Sequence, residues 1–168
     1  MNNFGSVNIR LVIGHTLKAL GNYSAAAENL LIVTISLQEK HIADKVEDGL
    51  GLYQINSTTH LSIWDNYLAF DPDRASTVRG LASQQAFLRD PHLELLTNLA
   101  YATAIAWTIY QRNKVRLPDA EDLPGLTACW AQYFAKETSL EAPKPSRPAA
   151  CAKIIAWPAP EAEGLLQA

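Results

Sequence analysis

The chain has 168 residues, 48% apolar and 18% charged, which suits one compact domain with a real core. Its formal net charge of −3 and the scatter of its fourteen basic residues argue against a nucleic-acid surface, since phosphate binding needs clustered Lys and Arg. The most apolar stretches, 30–35 and 100–109, are far shorter than the roughly 20 residues a membrane span requires. The first six residues carry neither a basic n-region nor a small-residue cleavage site, so no export signal is expected. Cys129 and Cys151 have no CxxC spacing and no neighbouring His, which reads as free thiols rather than a disulfide framework or a zinc site.

Along the chain the pattern is helical, with one irregular insertion. Ile9, Val12, Ile13, Leu17 and Leu20 recur at helical spacing, and Gly21-Asn22 supplies a stop. Ser24 is the expected N-cap of a second helix to about Lys40, with Ala27, Leu30, Leu31 and Thr34 on one stripe. From Asp44 to Asn56 the pattern breaks. Asp48-Gly49-Leu50-Gly51 is turn chemistry, and Leu52-Tyr53-Gln54-Ile55 reads as a short extended segment. Ser57 or Thr58 is expected to cap a third helix to about Leu68, with Leu61, Trp64 and Leu68 inward.

Asp71-Pro72 starts a shorter helix to about Leu81. Asp90-Pro91 starts what should be the longest, to about Gln111, with Leu95, Leu96, Leu99, Ala106, Trp107 and Tyr110 on its apolar face. Pro118 blocks continuation. Asp122 then caps a last helix carrying Leu126, Trp130, Tyr133 and Phe134 inward. Five of the nine prolines follow residue 142, so residues 138–168 are expected to form an extended arm outside the helical domain, residues 1–137.

The chemistry concentrates between the second and third helices. Gln38-Glu39-Lys40 closes an apolar helix, Gly51-Leu52-Tyr53-Gln54 forms a Gly-rich turn, and Thr59-His60 opens the next helix. A carboxylate at a half-dry helix end has its pKa raised and becomes able to protonate a leaving oxygen near neutral pH. A glycine turn lets backbone approach a sugar, and an amide such as that of Gln54 hydrogen-bonds its N-acetyl or hydroxyl groups. Together these features suit a glycoside-cleaving site.

Gly-Leu-Tyr-Gln following a Glu-bearing helix resembles the motif of the lytic transglycosylase and goose-type lysozyme superfamily. The resemblance is closer to small phage and prophage proteins of that superfamily. Those proteins pair an Ala-Glu-x-Leu-Leu-x-x-Thr helix with a catalytic-type Glu four residues on. A Gly-Leu-x-Gln turn and Thr-His-x-x-Ile-Trp-x-x-Tyr-Leu then follow. Here the matching residues are Ala27-Glu28-Asn29-Leu30-Leu31, Thr34, Gly51-Leu52-Tyr53-Gln54, Thr59-His60, Ile63-Trp64 and Tyr67-Leu68, with Asn98-Leu99-Ala100-Tyr101-Ala102 further on. The resemblance spans about residues 8–135. It implies a mainly α, lysozyme-like helical domain with a reduced β or irregular region.

One departure outweighs the agreements. The catalytic-type Glu position holds Gln38, which has no proton to donate at any usable pH. Glu39 follows it, about 100° further round the helix, so only a one-residue shift at a frayed end would bring its carboxylate inward. Glu39 is therefore the candidate acid, with a solvated surface charge as its plain reading. Gln38, Tyr53, Gln54, His60 and Tyr101 are the candidate substrate-binding residues. Tyr53 and Gln54 read equally well as closing the turn, and His60 as a structural hydrogen bonder. No metal or cofactor is expected.

The resemblance leaves three functions open: a virion structural or assembly component of the neck, tail or ejection apparatus; a virion-borne peptidoglycan hydrolase acting during DNA entry; and a host-lysis enzyme. Gln38 favours the first, with weak or absent activity. Made in the bacterial host cytoplasm, such a protein resides in the virion. Its expected partners are portal, tail or neck proteins and identical subunits, with peptidoglycan as substrate if activity persists. The arm points the same way, because Ile154, Ile155 and Trp157 form an apolar patch costly to leave in water and suited to a partner surface.

Overall fold

The computed structural model describes residues 4–41 and 49–138. The expected arm, with Ile154, Ile155 and Trp157, lies outside the described residues, as do residues 42–48 of the insertion. The fold is mainly helical, and no strand or sheet occurs among the described residues. The elements in order are α1 (Phe4–Ala19), α2 (Ala25–His41), α3 (Ser57–Asn66), a 3₁₀ turn (Leu68–Phe70), α4 (Pro72–Gly80), α5 (Gln84–Arg89), α6 (Leu93–Thr97), α7 (Leu99–Arg112) and α8 (Leu123–Cys129). A π turn (Trp130–Phe134) then leads into α9 (Ala135–Glu137).

Two of these helices form the centre. Every residue from Ala27 to Gln38 of α2 is buried, and so is every residue from Tyr101 to Tyr110 of α7. A helix covered on all faces has no amphipathic stripe, and its polar residues need internal partners. The pattern of apolar residues around both helices allows this, with Leu30, Leu31, Val33, Ala104, Ile105 and Ile109 fully buried. α1 packs on both central helices, and α8 packs on α2.

Local chemistry explains the helix ends. Ser24 Oγ accepts from Ala27 N at 3.0 Å, and Asp71 and Asp122 accept from Arg74 N and Gly125 N to start α4 and α8. α3 is capped by Asn56, whose Oδ1 accepts from Thr59 N at 2.7 Å, rather than by Ser57 or Thr58. This helix also stops at Asn66, and its inward face carries His60 and Ile63, leaving Leu61 50% exposed.

The expected long helix from residue 91 to 111 is broken at Asn98. Asn98 Oδ1 caps Tyr101 N at 3.1 Å, while its Nδ2 donates to Leu81 O and Glu94 Oε2, each at 2.8 Å. The helix before this break, α6, turns Leu96 to solvent, 54% exposed. The longest helix is instead α2, at 17 residues. The short α5 carries no legible periodicity and was not expected.

Among its described residues, 49–56, the irregular region holds one antiparallel bridge. Leu50 N donates to Ile55 O at 3.0 Å and Ile55 N to Leu50 O at 3.2 Å. Between them residues 51–54 form a tight turn rather than the expected extended segment, with Gly51 at φ 69° and Gln54 at φ 50°. Gly51 packs against α6 so closely that a Cβ would lie 1.9 Å from Leu95 O. Gly51→Ala should therefore destabilise the fold by about 2–4 kcal/mol, the sum of left-handed strain and overpacking. Gly80→Ala, where a Cβ meets nothing within 4 Å, should stay within about 1 kcal/mol of the parent. Urea denaturation of both variants checks this, and equal effects would contradict the close approach.

Candidate functional site

The six candidate residues of the domain separate into an inner group, a second cluster and one surface residue. Gln38, Tyr53 and Gln54 form the inner group. Gln38 lies at the end of the buried run of α2, is fully buried, and donates from Nε2 to the Tyr53 carbonyl at 2.7 Å. That bond fixes the amide's orientation, because the opposite one would set two oxygens face to face. Gln38 Oε1 is buried with no hydrogen-bond partner. Tyr53 is fully buried, and its hydroxyl shares a 3.0 Å hydrogen bond with Thr103 of α7. Burial holds this phenol firmly protonated. Half-buried Gln54 closes its own turn, donating from Nε2 to Gly51 O at 2.6 Å.

His60 and Tyr101 belong to the second cluster, which also includes Trp64 and His92. The Tyr101 hydroxyl accepts from Trp64 Nε1 at 2.9 Å and shares a 2.7 Å hydrogen bond with His60 Nε2. His60 Nδ1 meets His92 Nδ1 at 2.9 Å. One hydrogen bond between the two imidazoles joins α3 to the start of α6, while Tyr101 ties α3, through His60 and Trp64, to α7. Burial, then the neighbouring His92, lowers the His60 pKa to about 4, against a smaller opposing pull from Asp90. His60 is thus neutral at pH 7 and acts as a hydrogen bonder. Burial keeps Tyr101 protonated as well.

Glu39 is exposed, one residue beyond the buried run. Asp90 Oδ1 accepts from His92 N at 3.0 Å, but among the described residues no carboxylate is hydrogen-bonded to a side chain of either cluster. The Gln38, Tyr53 and Tyr101 side chains are also closed to solvent in this conformation. Chemically, the side chains of the two clusters offer hydrogen-bond donors and acceptors but no carboxylic acid aimed at a leaving group. Among the described residues no group of three His, Cys, Asp or Glu is placed to hold a metal ion.

Several polar residues that matter escaped the sequence reading. His92 lies 32 residues from His60, beyond any local spacing rule, and only the fold pairs them. Glu94 is 1% exposed; its Oε2 accepts from Ser83 N at 3.1 Å and Asn98 Nδ2 at 2.8 Å, so it fixes the start of α5 and the α6–α7 break. Arg112 and Asn113 bind Glu137, whose carbonyl accepts from Thr59 Oγ1 at 2.7 Å, which locks the end of α9 to α3 beside His60.

Comparisons of the chain with protein-family models, with curated proteins and with solved structures give no match.

The His60 cluster has a pH signature. His60 resists protonation in the folded chain down to about pH 4, whereas in the unfolded chain it titrates near 6.5. Between those values the unfolded state binds the extra proton, so stability falls as pH drops from 6.5 towards 4 and is complete above 6.5. His60→Gln should be less stable than the parent at pH 7, and the gap should narrow by pH 4. Denaturation midpoints across that range check this, and a gap that stays constant would contradict it.

Proposed function

We propose that the chain is a structural or assembly component of a phage virion, in its neck, tail or ejection apparatus, built on a lysozyme-like domain that has lost its acid. The observation that carries this reading is the state of position 38. In the proteins it resembles, a proton-donating Glu occupies that place. Here Gln38 is sealed from solvent and committed to the Tyr53 carbonyl. A neutral glutamic acid could make the same bond through its O–H, so the pocket fits the protonated form of the residue that Gln replaces. An ionised carboxylate there would face a carbonyl and would lack a donor for its second oxygen.

The second reading, a virion-associated peptidoglycan glycosidase or lytic transglycosylase, draws on the same geometry. A slot suited to a neutral acid is what such an enzyme needs. It places catalysis on Glu39, which is exposed and makes no hydrogen bond to Tyr53 or Tyr101. Glu39 therefore serves that reading poorly.

The parent should not clear purified peptidoglycan, whereas Gln38→Glu should gain slow clearing, measured as the fall in turbidity. Robust clearing by the parent that is lost in Glu39→Gln would overturn the proposal. The arm supplies attachment in this reading, through Ile154, Ile155 and Trp157. Burying each contributes about 1.5–3 kcal/mol before ordering costs. Truncation after Ser139 should leave the domain folded, by circular dichroism, and absent from purified particles. Incorporation at the parent level would remove the arm from this role.

A further inference from the structure

We propose that the cavity between α4 and the end of α7 binds a small anionic ligand: a carboxylate- or phosphate-bearing molecule of single-sugar size. The proposal rests on residues outside the Gln38 and His60 clusters and stands apart from the virion reading. The cavity holds about 230 Å³. Arg74 and Lys114 bring charge, Tyr67 and Gln111 bring polar groups, and Val115 and Leu117 add apolar wall, with the largely buried Trp107 and Tyr110 behind. No carboxylate lines it, in a chain whose net charge is −3.

Arg74 is held ready. Its Nη1 donates to the Tyr67 hydroxyl at 2.6 Å and to Gln111 Oε1 at 3.1 Å, and its Nε faces Asp71 at 3.4 Å. Gln111 is itself anchored, donating to Asn22 Oδ1 at 2.7 Å. Arg74 Nη2 makes no hydrogen bond among the described residues. A guanidinium fixed on one side and open on the other binds an oxyanion with little loss of freedom.

Lys114 is the second cation, and its backbone is unusual. It closes α7 at φ 51°, with Lys114 N bonded to Gln111 O at 2.9 Å and Val115 N to Tyr110 O at 3.3 Å. That is a helix-ending motif whose left-handed position glycine ordinarily fills, because a Cβ there is strained. The lysine is exposed and makes no ion pair among the described residues. Strain accepted for a free charge beside a cavity fits a binding role better than a structural one. Trp107 adds a buried indole N–H with no acceptor.

The test follows the Trp107 indole N–H resonance, assigned through Trp107→Phe, as the full chain is titrated with glucuronate, glucose 6-phosphate and glucose. The two anions should shift it saturably, with millimolar affinity that weakens with salt, and glucose should not. The tighter of the two names the head group. Lys114→Gln should weaken binding about tenfold or more. Lys114→Gly should weaken it equally while raising the thermal midpoint, which separates lost binding from damaged folding. Absence of a saturable shift, an equal response to glucose, or unchanged binding in Lys114→Gln would each overturn the proposal.

Discussion

A helix covered on every side must satisfy each polar group it carries from within, and α2 and α7 are both in that position. Their threonines begin the solution. Thr34 Oγ1 gives its proton to Leu30 O at 2.8 Å, which leaves the Tyr110 hydroxyl to donate to Thr34 at 2.6 Å. Thr108 bonds back to Ala104 O in the same way. Farther along, Thr103 receives Tyr53, and Gln38 reaches the Tyr53 carbonyl. The turn at residues 51–54 is therefore clamped from both central helices. The other end of α2 follows the same rule: Arg10 binds Glu28 and Asn29, and Asn29 Nδ2 holds Ala120 O at 2.9 Å. A buried polar group costs about 1–3 kcal/mol when unpaired, which makes these few contacts as decisive as the apolar packing around them.

Trp107 Nε1 on α7 and Gln38 Oε1 on α2 are exceptions, and the second is informative. Gln38 makes one hydrogen bond, from Nε2, and leaves Oε1 bare. A side chain chosen only for stability would carry no such atom, since an apolar residue of similar volume has no oxygen to strand. Under the proposed reading, an amide persists there for the shape it shares with a neutral carboxylic acid. On this view the slot was built around a protonated glutamate, and the substitution removed its chemistry while keeping its contact with Tyr53.

How much of this could be read beforehand depended on whether the signal was local. The caps at Ser24, Asp71 and Asp122 are single residues followed by helix formers, and the structure places each as the sequence indicates. The break at Asn98 was missed because the apolar run on either side masks it; what decides the matter is Glu94, which reaches Asn98 and Ser83 together. Leu61 and Leu96 fit a helical stripe yet face solvent, since stripe counting presumes one covered face and α3 and α6 are short and peripheral. The Gln38–Tyr53 contact follows from a turn in contact with a helix end, which motif order suggested. The pairing of His60 with His92 required the fold itself.

Both clusters hang from α7, through Thr103 and Tyr101, and among the described residues no carboxylate is hydrogen-bonded to a side chain of either. That combination is what an assembly role built on a silenced site would leave behind. It hinges on position 38 being shaped for a neutral acid rather than merely filled. The direct measurement is the pKa of the carboxyl introduced by Gln38→Glu, followed by ¹³C NMR of the labelled side chain. A value well above the usual glutamate value of about 4.3 is expected, because burial and the Tyr53 carbonyl both disfavour the charge. A value at or below that figure would show donors around the carboxyl that leave no case for a protonated slot.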